Sequence, residues 1–274
     1  EEVEKTVDGS LKNYIRNFIF NIVVAILFIG IGIFKHNYLT FIIAMVFISA
    51  PFVLYLVSKD IDHTQIELKD KEVEDIKELA ERTWKYFEEN LKEEYNYLIP
   101  DNYQENREEK LDMRTSPTAI GYSLTSIISA YELEFIELEK AIDLLGKVLE
   151  SVDSLEKWHG HLFNWYNIKA MKVIAPYFVS TVDSGNLIAC IIMTREFLNV
   201  HNEEKLVKLC DKLIKNANFK KLYTKKNVFS IGYDEDEGKL STYNYNKFAS
   251  ESRLASYVAI CLGEAPSKHW FSLD

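Results

Sequence analysis

Cysteine is scarce in this chain. Cys190, Cys210 and Cys261 are odd in number, far apart and set in apolar helical contexts, a pattern that supports neither a disulfide frame nor a thiolate metal site. A basic stripe is missing as well: Lys and Arg total 32 against 42 acids, a net charge of −10, which excludes nucleic acid as a partner. Metal-ligand spacing is equally poor. His159 and His161 stand two apart in a loop without further ligands of suitable spacing, and the acidic turn Asp234–Glu237 lacks the alternation and the closing bidentate acid of a calcium loop. The expectation is therefore no metal and no other cofactor. An initiating Met is also missing, and a chain that begins at Glu1 reads as a piece of something longer.

Charge is absent from two long stretches. Asn17 to Phe34 reads NFIFNIVVAILFIGIGIF, and after the break Lys35-His36-Asn37, Tyr38 to Val57 reads YLTFIIAMVFISAPFVLYLV. Each is near the ~20 residues that cross a hydrocarbon core as a helix, and neither has the polar face of a soluble core helix. Two apolar runs in immediate succession also fit a signal peptide poorly. The expected structure is a two-helix transmembrane hairpin, with Pro51 tolerated inside the second span. Lys12 and Arg16 before it and Lys59 after it face only Lys35 in the turn, which favours cytoplasmic ends. The predicted organisation is a membrane region over 1–60 and a helical domain over 61–274, cytoplasmic and anchored to the cell membrane by a multi-pass segment.

Past Lys59 the pattern turns amphipathic. Glu72 to Glu94 carries Val73, Ile76, Leu79, Ala80, Trp84, Phe87 and Leu91 on one stripe. Ser116-Pro117 opens a helix through Ala130, with Pro117 suited to the first helical position. Further helices are expected over Glu137–Val152, Ser184–Asn199, Glu203–Asn216 and from about Asn246 to Leu262, ended by Gly263. A short hairpin is expected around Lys169–Pro176, and a strand over Phe229–Tyr233 leading into the turn at Asp234–Gly238. Helices thus come in pairs, with polar and aromatic segments in the loops between. That is the layout of an all-α, partial (α/α)6 toroid with half of its helices, whose open apolar faces call for a partner or further domains to cover them.

Between Trp158 and Leu187 lies the densest chemistry: WHGHLFNWYNIKAMKVIAPYFVSTVDSGNL. Trp158, Trp165 and Tyr166 offer flat surfaces, while His161, Asn164, Asn167, Asp183 and Asn186 offer fixed polar groups. Gly160 and Gly185 permit close backbone approach. Sugar rings need that mixture, aromatic planes for C–H faces and amides or acids for hydroxyls. Asp183 serves either a sugar hydroxyl or the cap of the following helix. Glu251 is either an acid facing a cleft or the ion-pair partner of Arg253. Trp270 is a platform or a core anchor.

Five segments occur in order: Arg114-Thr115-Ser116-Pro117-Thr118; Gly160-His161-Leu162-Phe163-Asn164-Trp165-Tyr166; Val179-Ser180-Thr181-Val182-Asp183-Ser184-Gly185-Asn186-Leu187; Ser230-Ile231-Gly232-Tyr233-Asp234; and Ala249-Ser250-Glu251-Ser252-Arg253-Leu254-Ala255-Ser256. With His269-Trp270-Phe271 at the close, they resemble the middle region of the cyclic β-1,2-glucan synthases, from Ile61 to Asp274. What the resemblance implies is the first half of a glucoamylase-like domain that cuts and re-joins β-1,2-glucan held by a membrane-bound synthase. It further implies that the family's catalytic glutamates lie past Asp274, so that Asp183 and Glu251 are weak catalytic candidates and this chain contributes the sugar-binding half. Ala119 stands where the family usually has Asn, Asn167 where it has Asp, and Ser252 where Ala is common. The loss of charge at Asn167 keeps open the alternative of a non-catalytic, membrane-anchored glucan-binding remnant.

Overall fold

A computed structural model describes residues 10–58 and 68–273; Lys59, Ile61 and the 60/61 boundary lie outside the described residues. The chain forms two compact units that divide between Lys69 and Asp70.

The first unit holds α1 (Leu11–Asn17), α2 (Ile19–Lys35) and α3 (Tyr38–Val57). The Ser10 side chain caps α1 by accepting from Asn13 N at 3.3 Å, and Asn37 caps α3 by accepting from Leu39 N at 3.0 Å. His36, in the left-handed region at φ 49°, turns the chain between α2 and α3. The residues α2 and α3 bury are small or compact: Ala25 and Gly32 on one side, Thr40, Ala44 and Pro51 on the other. A Cβ on Gly32 would sit 2.5 Å from Thr40 Oγ1, so glycine sets the closeness of the two helices. The first apolar run forms α2, which begins two residues later than expected; α1, which precedes it, meets it at Phe18 with a bend of 64°. Among the described residues, by length and composition, α3 alone is long and apolar enough to cross a membrane, and α1 with α2 meets the same test only as a bent pair.

The second unit contains α4 (Asp70–Asn90), α5 (Pro117–Glu132), α6 (Leu138–Ser154), α7 (Thr181–Val200), α8 (Glu204–Asn216) and α9 (Arg253–Cys261). Helices α5, α7 and α9 pack on one another in sequence. Helix α6 backs α5, α8 backs α7, and α6 touches α8, giving two rows of helices; α4 lies on α5. Two small residues set the spacing of the first row. A Cβ at Gly121 would lie 3.0 Å from Cys190 Sγ, and one at Gly185 only 2.4 Å from Ala255 Cα. Leu124, Ile127, Leu145, Leu149 and Ile191, all on these helices, are fully buried. Each such side chain contributes about 1.5–3 kcal/mol relative to exposure, which outweighs the weak helix propensity of the β-branched residues among them.

The loops hold more β structure than the sequence predicts. The short strands are β1 (Arg114–Thr115), β2 (Lys157–Trp158), β3 (His161–Leu162), β4 (Tyr166–Asn167), β5 (Lys172–Val173), β6 (Phe178–Ser180), β7 (Phe229–Ser230), β8 (Gly232–Asp234), β9 (Lys239–Leu240) and β10 (Asn244–Tyr245). All pairings are antiparallel: β1 with β4 and β4 with β5, β2 with β3, β6 with β8 and β8 with β9, and β7 with β10. The hairpin expected over Lys169–Pro176 forms earlier, with Tyr166 opposite Val173. The strand expected over Phe229–Tyr233 breaks at Ile231, whose two sides pair with different partners. The last helix begins at Arg253, not Asn246, because Asn244 and Tyr245 are taken into β10 and residues 246–252 form bends and turns.

Candidate functional site

Two strand-to-helix junctions carry the site. Strand β1 leads into α5 through Ser116, whose hydroxyl accepts from Ala119 N at 3.2 Å, and Pro117 takes the first helical position. Strand β6 leads into α7 through Ser180, whose hydroxyl accepts from Asp183 N at 3.2 Å. Asp183 is therefore not the cap of its helix. The cap is Ser180, three residues earlier, and the Asp183 carboxylate is left free to point elsewhere.

It points to the neighbouring helix. Thr118 donates its hydroxyl to Asp183 Oδ1 at 2.6 Å and accepts from Asn186 Nδ2 at 3.0 Å. One hydroxyl thus ties the first turns of α5 and α7 together, with a carboxylate and a carboxamide held on either side. Across from this cluster, Tyr245 donates its hydroxyl to Glu251 Oε1 at 3.0 Å. Burial first, then the Glu251 hydrogen bond, then the charge of Asp183 raise the Tyr245 pKa well above its usual value. The two acids named from sequence therefore act on one tyrosine, which stays a hydroxyl donor. Glu251 lies in a turn before α9, not on it, and forms no ion pair with Arg253 among the described residues. The Arg253 guanidinium sits over the Phe248 ring instead, 5.4 Å from its centroid.

The aromatic loop divides between surface and interior. His159 and Gly160, at φ 47° and 84°, make the two-residue turn between β2 and β3, where paired positive φ values match the twist of a hairpin. A Cβ on Gly160 would fall 2.0 Å from the Asn216 carbonyl oxygen. Trp158 stacks on Tyr233 with centroids 4.1 Å apart. Trp165 is half-buried beneath Arg114, whose guanidinium lies 4.0 Å from its ring centroid and whose Nε is 3.0 Å from Asp112 Oδ2. Arg114, Asp112 and Asn167, with Gln104, Arg107 and Lys110, border an open cleft of about 560 Å³.

Other sequence-named residues face inward. Tyr166 is fully buried: its hydroxyl donates to the Glu156 carbonyl at 2.6 Å and accepts from Phe163 N at 2.8 Å, so it braces the loop and has no surface for a sugar. His161 is 2% exposed, packed edge-on to Phe219 at 4.9 Å, and burial pushes its pKa down to about 4. Neither ring nitrogen of His161 has a hydrogen-bond partner, and the nearby Asn218 N–H donates to His159 O at 3.1 Å. Asn164 Oδ1 is likewise buried and unpartnered. Asn167 Oδ1 closes its own hairpin turn, accepting from Lys169 N at 3.1 Å and Ala170 N at 2.8 Å, a task a carboxylate would also perform. Among the described residues no three His, Cys, Asp or Glu side chains are grouped to hold a metal ion. Sequence reasoning missed Thr118 as the link between helices and missed Tyr245 altogether; the one signal for Tyr245 was its place just before the Ala249–Ser256 segment.

No protein-family model matches the chain. Over 204 residues, 72% of its length, it is 34% identical to the cyclic β-(1,2)-glucan synthase NdvB of Rhizobium meliloti (strain 1021). Over that segment the chain is a relative of the cyclic β-1,2-glucan synthases. It spans 7% of the length of that synthase. Solved structures agree on the fold. An endo-β-1,2-glucanase from Chitinophaga pinensis matches 70% of the chain with a TM-score of 0.60 at 17% identity, using 47% of its own length. A β-1,2-glucanase from Parabacteroides distasonis matches 74% with a TM-score of 0.61 at 18% identity, using 29% of its length. A glucoamylase candidate from Bacteroides caccae matches 72% with a TM-score of 0.63 at 14% identity, using 50% of its length. The chain thus has the helical architecture of a glucoamylase-like α/α toroid, present in part. Its paired helix rows, with short strands in the loops at the helix ends, are the arc of such a toroid.

Proposed function

We propose that this chain is the glucan-holding part of a membrane-bound enzyme that transglycosylates or cyclises β-1,2-glucan. Homology to a cyclic β-1,2-glucan synthase supports β-1,2-glucan processing as the chemistry. The observation that carries the assignment to this chain is the Thr118–Asp183–Asn186 cluster. A carboxylate and a carboxamide, fixed by one shared hydroxyl at two helix starts, present acceptor and donor at set positions, as hydroxyl-rich rings require. Trp165, stiffened by Arg114, which itself lines the cleft bordered by Asn167, supplies the apolar plane. His161, Asn164 and Tyr166 support this surface from behind. Glycosyl transfer needs two carboxylates astride one bond, one of them poised as an acid. Asp183 and Glu251 are each engaged by a hydroxyl donor and serve here as orienting groups, with the reacting pair assigned to other parts of a larger synthase.

The domain division at about residue 60, the hairpin as a cell-membrane anchor and the cytoplasmic placement of the helical domain belong to the same proposal. They rest on the apolar helices and on Lys12, Arg16 and Lys59 flanking them.

The test is calorimetric titration of linear β-1,2-glucan into the full chain in mild detergent, with a linear β-1,3-glucan as control. Binding of the β-1,2 polymer, weakened about tenfold or more by Trp165→Ala and by Asp183→Asn, is the expected result. Turnover of the bound glucan by this chain alone would place the reacting acids within it. Binding without turnover fits either half of a split catalytic site or a glucan-binding remnant, which adding the remaining synthase domains separates. Failure of well-folded protein to bind overturns the proposal.

A further inference from the structure

Helix α1 is set off from the apolar helices it adjoins. Its residues sort cleanly at about 100° per residue: Leu11, Tyr14, Ile15 and Phe18 fall on one arc, Lys12, Asn13, Arg16 and Asn17 on the other. The apolar arc is half-buried, while Lys12, Arg16 and Asn17 are exposed. The axis turns by 64° at Phe18 before α2 begins. Tyr14 packs edge-on against Tyr55 near the end of α3, with ring centroids 5.9 Å apart, so the start of the hairpin is pinned to its finish. Helix α1 itself carries two cations, Lys12 and Arg16, while Glu1, Glu2, Glu4 and Asp8 precede it in the sequence.

Length explains the bend. At 1.5 Å per residue α3 is about 30 Å long and α2 about 26 Å, both near the ~30 Å of a hydrocarbon core. A straight helix from Leu11 to Lys35 would be about 37 Å and would overshoot it. Turning at Phe18 ends the first span at the level of the second. It also brings two tyrosines to the depth where such rings settle, apolar body inward and hydroxyl toward water.

We propose that α1 is an interfacial helix that lies along the membrane surface and binds anionic phospholipid headgroups through Lys12 and Arg16. The Tyr14–Tyr55 pair marks the boundary of the hydrocarbon. This rests on the membrane reading of α2 and α3. The four-residue spacing of Lys12 and Arg16 aims both cations along one edge of the helix, opposite its apolar arc. Each cation near a charged membrane surface favours binding about fivefold, and the pair on the order of 30-fold.

The test uses the full chain in vesicles of phosphatidylcholine, with and without about a third phosphatidylglycerol. Fluorophores are placed singly at Tyr14→Cys and Ile26→Cys on a background with Cys190, Cys210 and Cys261 changed to Ala, and their depth is read from lipids brominated at known positions. The expected result is deep quenching at position 26 and headgroup-level quenching at position 14. Phosphatidylglycerol should shift position 14 toward the docked state on the order of 30-fold, a gain abolished by Lys12→Gln with Arg16→Gln. With position 26 deep, a deep or unquenched position 14, or no dependence on phosphatidylglycerol, overturns the proposal and leaves the membrane reading intact. An unquenched position 26 overturns both. Should the labelled variants misfold, amide exchange of residues 11–17 in the unlabelled chain gives the same decision: slowing by anionic lipid supports the proposal and equal exchange refutes it.

Discussion

Removing a single oxygen from Tyr166 separates a brace from a sugar contact. In Tyr166→Phe the ring stays in its fully buried place, and only the hydroxyl between Glu156 O and Phe163 N is lost. The Phe163 N–H is then buried without an acceptor, and the Glu156 carbonyl loses one donor. An unpaired buried N–H costs about 1–3 kcal/mol and a carbonyl with a second lone pair less, while the absent hydroxyl no longer has to be desolvated. The expected loss is about 2–3 kcal/mol, a sizeable share of a typical domain's stability, and for a domain of this size it lowers Tm by roughly 5–10 °C. Urea unfolding of the full chain in detergent, followed by circular dichroism, measures it through the shift in midpoint at constant slope. Titration with β-1,2-glucan under conditions where the variant is folded should give the wild-type Kd, in contrast to Trp165→Ala. Loss of affinity with stability unchanged would refute the assignment of Tyr166 to the interior and restore it as a sugar contact.

Gly160→Ala forces a Cβ to within 2.0 Å of Asn216 O at a φ of 84°, so it should cost about 3 kcal/mol or more and raise hydrogen exchange through the β2–β3 turn and the end of α8. Gly185→Ala drives a Cβ to 2.4 Å from Ala255 Cα, and should weaken glucan binding along with stability, because α7 carries Asp183 and Asn186. His161 has a folded pKa of about 4, below its unfolded value of about 6.5, so the unfolded chain takes up the proton first. Its contribution is complete above about pH 6.5 and is lost as pH falls toward 4, on the order of 3 kcal/mol in all. Denaturation across that window should show the loss in the wild type and a flatter profile in His161→Leu.

Much of the helical framework is legible in the sequence because its signals are local. Ser116-Pro117 marks the start of α5, and Glu137 and Glu203 fall immediately before α6 and α8. The glycines that permit close backbone approach, Gly160 in the β2–β3 turn and Gly185 on α7, are also visible as glycines in otherwise bulky company. What fails is what depends on partners distant in sequence. Asp183 has the right chemistry for a cap, but β6 pairs with β8 up to Ser180 and starts the helix three residues earlier. Strands of two or three residues are too short to show an alternation, so nothing local says that Trp165 faces Arg114 while Tyr166 faces the core. Tyr245 gains its meaning only from the pairing of β10 with β7, which sets it near Asp183 and Glu251. The helix before the first span is missed for a related reason: composition shows apolar length, but not that residues 11–17 form a separate helix set at 64° to α2, with Tyr14 against Tyr55.

The hydrogen-bond directions argue for what the acids of this chain do. A carboxyl group that acts as a general acid must hold its own proton toward the bond it breaks. Asp183 and Glu251 both receive hydrogen bonds, from Thr118 at 2.6 Å and Tyr245 at 3.0 Å. Thr118 also accepts from Asn186, which fixes the direction in which its proton points. Tyr245 is held in its protonated form by burial and by the two acids together. Acceptors fixed in this way suit sugar hydroxyls, whose own protons they can receive on the remaining lone pairs without reorganising. Asp183→Asn keeps an oxygen for Thr118 and should therefore retain the fold, while it removes the charge that a glucan hydroxyl would meet. A large loss of binding with a small loss of stability is the signature of an orienting acid at a sugar site, and the reverse would mark Asp183 as a helix tie alone.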